Sequence, residues 1–259
     1  MRVEQLTFTR FLAAIAIVIF HFGIDLFPFN DESILFLFKK ANIGVSYFFI
    51  LSGFVMIIAY SNKSKISSLE FLKNRFARIY PLYFLAICMM FLFMIISHKP
   101  LEIPSLILNI LLIQTWIPGQ SLTINAPGWS LSVEFFFYAL FPFLLNRIYN
   151  KNPLNSLAAP ILLFWLISQL AFHLFLSSHF YSDYPSKIHD FTHYFPLMHL
   201  NEFLIGNLFG LFFTNKLVSQ NKNYDWIIVI ILLLIMVMFK NPIGLNFHNG
   251  LISLFFAPL

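Results

Sequence analysis

Long apolar runs, broken only by brief polar stretches, recur from one end of this chain to the other. They occupy residues 6–29, 43–60, 79–97, 130–145, 157–177, 196–214 and 226–239, and a last run begins near Asn249. A helix of about 20 apolar residues matches the hydrocarbon thickness of a bilayer. Of 259 residues, 59% are hydrophobic and only 10% are charged, too few charges to clothe a water-facing surface. This excludes a soluble globule, a disordered chain, a disulfide-rich secreted module and a nucleic-acid binder. The expected fold is all-α: a polytopic transmembrane helical bundle, a single integral membrane domain over residues 1–259, with the lipid bilayer as its solvent. The first run has no small-residue cleavage site, so it reads as a retained first helix. The last run is cut off at Leu259, so C-terminal helices are expected to be missing. The single cysteine, Cys88, lies in an apolar run and reads as packing.

The net charge of +5 reflects topology rather than a nucleic-acid partner. One apolar run, residues 105–117, is too short to cross comfortably. If it dips in without crossing and the N-terminus is cytoplasmic, ten of the 16 Lys and Arg face the cytoplasm and five face outward, with Arg10 inside the first span. If it crosses, six lie inside and nine outside. The positive-inside rule selects the first path. Residues 105–128 are therefore expected to form a re-entrant or interfacial segment. Non-helical backbone at membrane depth is tolerated only when protein shields it or it lines a cavity.

Ionisable groups at membrane depth are costly, and each is a functional hypothesis. Arg10 and His21 share the first helix. Eleven residues make three turns plus ~20°, placing both on one face about 16 Å apart along the axis. Read alone, Arg10 is a snorkelling anchor and His21 a packed interfacial residue. Read together, they line a path. A thioester donor such as acyl-CoA is long and carries its phosphates far from its reactive carbon. Arginine at one end would hold phosphate, and a neutral imidazole at the other would act as general base.

Glu134 is a third such group, with Tyr138 four residues on and so on the same helix face. Its other reading is a protonated acid hydrogen-bonded between helices. Arg75 and Arg78, three residues apart before the third run, are either positive-inside anchors or a phosphate clamp. Trp129 is either an interfacial anchor or a substrate platform. Glu202 is a fourth acidic group at depth. His189 and His193, at helical spacing in the outer loop 178–195, lack the accompanying ligands of a metal motif. No metal is expected, and that loop reads as a polar surface facing an acceptor. The same intramembrane charges would equally serve a transporter or flippase of a glycan or lipid-linked substrate; a structural subunit of an envelope complex is a third reading.

Four segments, in this order and spacing, resemble the membrane acyltransferase 3 family: Arg10 through His21, Gly44 through Phe54, Arg75-Phe-Ala-Arg78-Ile-Tyr-Pro81, and Trp129-Ser-Leu-Ser132-Val-Glu134 running on to Tyr138 and Pro142. A fifth, His199 through Gly206, is similar to a later family segment. Ser46 stands where an acidic residue is common, and His199 where arginine is expected. The resemblance implies about ten helices and a bacterial inner (plasma) membrane protein. It also implies a cytoplasmic acyl-CoA, most simply acetyl-CoA, as co-substrate, and a cell-surface polysaccharide or lipopolysaccharide acceptor. Transfer would be to a hydroxyl, making the protein an O-acyltransferase. His21 and Glu134 are then the catalytic candidates, with an acyl-histidine relay as the alternative to base catalysis. Arg10, Arg75 and Arg78 are the candidate donor ligands, and Trp129, Ser132 and Tyr138 the candidate substrate contacts.

Overall fold

A computed structural model describes residues 5–215, 225–241 and 245–257. Of the basic residues used to orient the chain, Arg2, Lys216 and Lys222 lie outside these. The described residues form helices and turns, without strands. Five helical stretches are long and apolar enough to cross a membrane: Leu6–Gly23, Glu32–Tyr60, Ser68–Ile96, Ala126–Tyr149 and Leu154–Leu176. The chain divides into two compact units. One takes in residues 1–61, 158–169 and 201–259, the other residues 62–157 and 170–200.

The first unit opens with α1 (Gln5–Val18), which widens into a π turn over Ile19–Gly23. Asp31 caps α2 (Glu32–Phe38) by accepting the Ser33 N–H at 2.9 Å. Helix α3 (Gly44–Tyr60) matches the expected second span.

The second unit begins with α4 (Ser68–Ile96), a 29-residue helix. The third apolar run is only its later part. Ser67 accepts the Glu70 N–H, an S-x-x-E start signal that sets the helix end eleven residues before the apolar run at 79. Next come α5 (Ile103–Ile110), α6 (Trp129–Phe143), α7 (Leu154–Leu176), which also supplies residues 158–169 to the first unit, and α8 (Lys187–Tyr194). Helices α9 (Leu200–Thr214), α10 (Asp225–Lys240) and α11 (Ser253–Phe256) complete the first unit.

In the first unit, α3 and α9 meet backbone to backbone. A Cβ on Gly206 would overlap the Ile50 carbonyl, and one on Gly53 would overlap the Phe203 carbonyl. Gly206 and Gly210 form a G-x-x-x-G pair, the small-residue spacing that lets membrane helices approach closely. The irregular backbone at 245–252 is anchored by side chains from three helices. Ser46 donates to the His248 carbonyl at 3.1 Å, Gln169 to the Asn249 carbonyl at 2.8 Å and Trp165 to the Gly250 carbonyl at 2.8 Å. Asn201 also donates to the Asn249 carbonyl. Gly250, at φ +90°, lies so close to Asn201 that a side chain would collide with it.

In the second unit, residues 105–128 contain no helix long enough to span. After α5 the backbone turns through Leu112 at φ 57° and Ile124 at φ 58°, positions that cost a side chain-bearing residue energy. The carbonyls at and after the end of α5 accept side chains from neighbouring helices. Tyr83 donates to Asn109 at 2.8 Å, Tyr80 to Ile110 at 3.0 Å and Ser132 to Leu112 at 2.7 Å. Asn146 pins both the N–H and the carbonyl of Ile66, and Asn150 holds the carbonyls of Lys63 and Ser64. The basic loop ahead of α4 is thereby fixed.

Helix α8 is tied to the broken segment. Asp190, buried at 7% exposure, accepts the Gly119 N–H at 2.9 Å. On the same helix His189 and His193 stack, with ring centroids 3.9 Å apart and planes within 11°. Burial lowers the His189 pKa and pushes that of His193 down to about 4.

Two tests follow from this packing. Gly206→Ala should destabilise the protein in detergent by about 1–3 kcal/mol, because backbone cannot yield as a side chain does. Gly23→Ala, whose added carbon would have no neighbour nearer than 3.7 Å, should leave the melting temperature unchanged or raise it. The second test concerns acid. His193 stays neutral in the fold down to about pH 4, whereas the unfolded chain protonates near 6.5. The stability of α8 is therefore complete above about pH 6.5 and is lost as pH falls toward 4. The charges of His189 and His199 reinforce this trend, while the hydrogen bond to the His189 carbonyl and the Asp183 charge oppose it. Hydrogen exchange corrected for intrinsic rate should show α8 amides opening faster at pH 4.5 than at pH 7.5, and equal protection would refute it.

Candidate active site

In the first unit, His21 sits inside the π turn at Ile19–Gly23. Such turns take more residues per revolution than an α-helix and recur at functional sites. His21 therefore under-rotates relative to the ideal helix that places it on Arg10's face. Its ring is exposed, flanked edge-on by Phe20 at 5.0 Å and by a tilted Phe22 at 6.0 Å. Arg10 is half-buried, one residue beyond Thr9, whose hydroxyl shares a 2.5 Å hydrogen bond with the Tyr47 hydroxyl. This link fixes α1 against α3, and Gly44 admits the Ile17 side chain at the same contact. The two first-helix residues thus ride on one braced element.

In the second unit, Glu134 and Tyr138 face the same way on α6, and the Tyr138 hydroxyl donates to Glu134 Oε1 at 2.5 Å. The Arg75 guanidinium lies over the rings of Phe71, at 5.2 Å, and Tyr138, at 5.5 Å from their centroids. Arg75, Tyr138 and Glu134 therefore form one chain of contacts, linking the third and fourth family segments. A small pocket of about 10 Å³, room for one water, opens beside Arg75 and Tyr138. Arg78 departs from this group: it is exposed, while Arg75 is half-buried.

The remaining two candidates pack elsewhere. Trp129 is 8% exposed and lies against Tyr194 and His199, at 5.0 and 5.3 Å between ring centroids. Ser132 is 1% exposed; its hydroxyl donates to the Leu112 carbonyl and lies 2.6 Å from the Thr115 hydroxyl. Both fasten the broken segment and α8 to α6. Glu202 is fully buried on α9. Among the described residues no group of three or more His, Cys, Asp or Glu could hold a metal ion.

Sequence reasoning missed the polar set around residues 245–252, above all Ser46 paired with the His248 carbonyl and Gln169 paired with the Asn249 carbonyl. The signal was available in Asn246, His248, Asn249 and Gly250, polar residues set between apolar runs.

Comparison with known proteins bears on what this arrangement does. A family model described as an acyltransferase domain matches residues 3–258. The acyltransferase MdmB of Streptomyces mycarofaciens is 30% identical over 232 residues, covering 81% of this chain and 57% of that protein. The O-acetyltransferase OatA of Staphylococcus aureus is 29% identical over 167 residues, covering 57% of this chain and 26% of that protein. The exopolysaccharide production protein ExoZ of Rhizobium meliloti is 30% identical over 103 residues, covering 38% of this chain and 32% of that protein. This chain thus spans less than two thirds of the length of each. No solved structure matches. With the family model spanning nearly every residue, and the family's motif residues set on the helices described above, this all-helical chain belongs to the membrane acyltransferase 3 family.

Proposed function

We propose that this protein transfers an acyl group, most simply acetyl, from cytoplasmic acyl-CoA to a hydroxyl of an extracytoplasmic cell-surface glycan. The observation that carries the reading is His21: an accessible imidazole in a π turn, on the same braced helix as Arg10, in a member of an acyltransferase family. Relatives named for O-acetyl transfer and exopolysaccharide production favour a hydroxyl acceptor.

The chemistry assigned to the site is simple. A neutral His21 nitrogen takes the proton of the acceptor hydroxyl as its oxygen attacks the thioester carbonyl. The new C–O bond forms, the C–S bond breaks, and the departing thiolate takes the proton from the imidazolium, leaving free thiol, an acyl ester and neutral histidine. Arg10 is assigned to the donor's phosphates, with Arg75 and Arg78 as further cations for them. Glu134, already the acceptor for the Tyr138 hydroxyl, is assigned to proton traffic during transfer.

Proteoliposomes given labelled acetyl-CoA and de-esterified envelope polysaccharide should yield labelled polysaccharide. His21→Ala should lower that yield by about 10²–10⁴-fold, the usual worth of a positioned acid–base group. A His21→Ala protein with full activity would overturn the assignment, and label-independent movement of glycan would show a transporter instead. Arg10→Lys should raise the half-saturating acetyl-CoA concentration about tenfold, because a point charge replaces a bidentate fork. The orientation has its own check. In a Cys88→Ser background, Lys151→Cys should react with an impermeant maleimide only from the cytoplasmic side, and labelling from outside would reverse the assigned path.

A further inference from the structure

A groove of about 360 Å³ opens where α8 meets the broken segment, within the second unit. Its walls include Gly119, Thr123, Tyr184, Ser186, Lys187 and Asp190. The volume falls in the range of small-molecule sites. None of these residues belongs to the family motifs quoted above.

Its chemistry is mixed in a particular way. Asp190 is buried on the groove floor, with one carboxylate oxygen taking the Gly119 N–H. No other donor within the described residues reaches that carboxylate. Lys187 is exposed and its stem crosses Gly119, where a Cβ would sit 3.6 Å from both Lys187 Cγ and Cε. Tyr184 presents an open aromatic surface, 61% exposed, backed edge-on by His189 at 5.6 Å. His189 is itself held by the Tyr181 hydroxyl at 2.9 Å and by the stack on His193. The ring is thus supported from behind and uncovered in front.

A free anion such as phosphate would face Asp190 at close range, and a free cation would face Lys187. A neutral, hydroxyl-rich ring satisfies both, since each hydroxyl donates to a carboxylate and accepts from an ammonium. Its C–H face would lie on the Tyr184 ring, as amphipathic tyrosines at binding surfaces allow. We infer that this groove is the acceptor subsite, binding a sugar ring of the glycan through Asp190, Lys187 and Tyr184. The inference rests on the glycan acyltransferase reading and adds to it where the acceptor is gripped.

The test uses the full chain in proteoliposomes, with acetyl-CoA held saturating and de-esterified envelope polysaccharide from the producing cell titrated. Tyr184→Ala and Lys187→Ala change exposed side chains. Each should raise the half-saturating polysaccharide concentration about tenfold while leaving that for acetyl-CoA within about twofold. Asp190→Asn should do the same and more, but it also weakens the tie to Gly119, so the two exposed variants decide. If the intact protein transfers label and both exposed variants keep its polysaccharide dependence, the groove is not the subsite although the activity stands. If the intact protein transfers no label to the polysaccharide, the glycan reading fails and the subsite with it.

Discussion

The constraint on which the rest of this molecule depends is that backbone carbonyls at a helix break need donors, and a bilayer supplies none. Two non-helical segments among the described residues, after α5 and at 245–252, solve this in the same way. After α5, the carbonyls of Asn109, Ile110 and Leu112 are met by Tyr83, Tyr80 and Ser132. At 248–250, the carbonyls are met by Ser46, Gln169, Asn201 and Trp165. For the Ile110, Leu112 and His248 carbonyls, each met by one side chain, such a bond removes a penalty of about 1–3 kcal/mol for a buried, unpaired polar group. Those side chains come from helices already positioned by apolar packing, so each break is held by two or three helices at once. The non-helical segments are thereby fixed, and Gly119 and Asp190 can meet at a defined place.

Much of this was legible in the residues, because its cause is local. Apolar run length fixed the long helices, and the pattern of Lys and Arg pointed to a segment at 105–128 that does not span. The α4 start lay in plain view as Ser67 and Glu70, but the apolar run hid it, since polar helix formers ahead of the run carry no hydropathy signal. The π turn at Ile19–Gly23 was not legible. Nothing in Ile-Phe-His-Phe-Gly distinguishes a π turn from an α turn, because the choice rests on tertiary packing. The α3–α9 approach was written in Gly53, Gly206 and Gly210, yet glycines say that backbones come close without saying to what. The Tyr184 platform depends on His189 and His193 stacking, a contact that i, i+4 spacing permits and burial enforces.

The site residues were legible to unequal degree, and the difference has a physical basis. Treating every polar side chain at membrane depth as a functional hypothesis overcounts. Several of the buried ones here, Ser46, Gln169 and Ser132, are hydrogen-bonded to backbone carbonyls in the two non-helical segments. Ser132 is the clearest case: its motif position suggests substrate, while its hydroxyl is committed to the Leu112 carbonyl.

The groups with access form a separate set. His21 and Arg78 are exposed, and Arg10, Arg75 and Glu134 are half-buried. A fully buried donor or acceptor already satisfied by backbone has little left to offer a substrate, whereas a half-exposed one can exchange water for a ligand. Burial therefore sorts the polar residues of a membrane enzyme more sharply than depth does. By the same criterion Asp190 stands between the two sets: its carboxylate braces Gly119 from a buried position, yet it lines an open groove. A residue that holds the scaffold through its carboxylate while lining a groove is already positioned for a ligand. Such double use of one carboxylate suits a membrane protein that has few charges to spare.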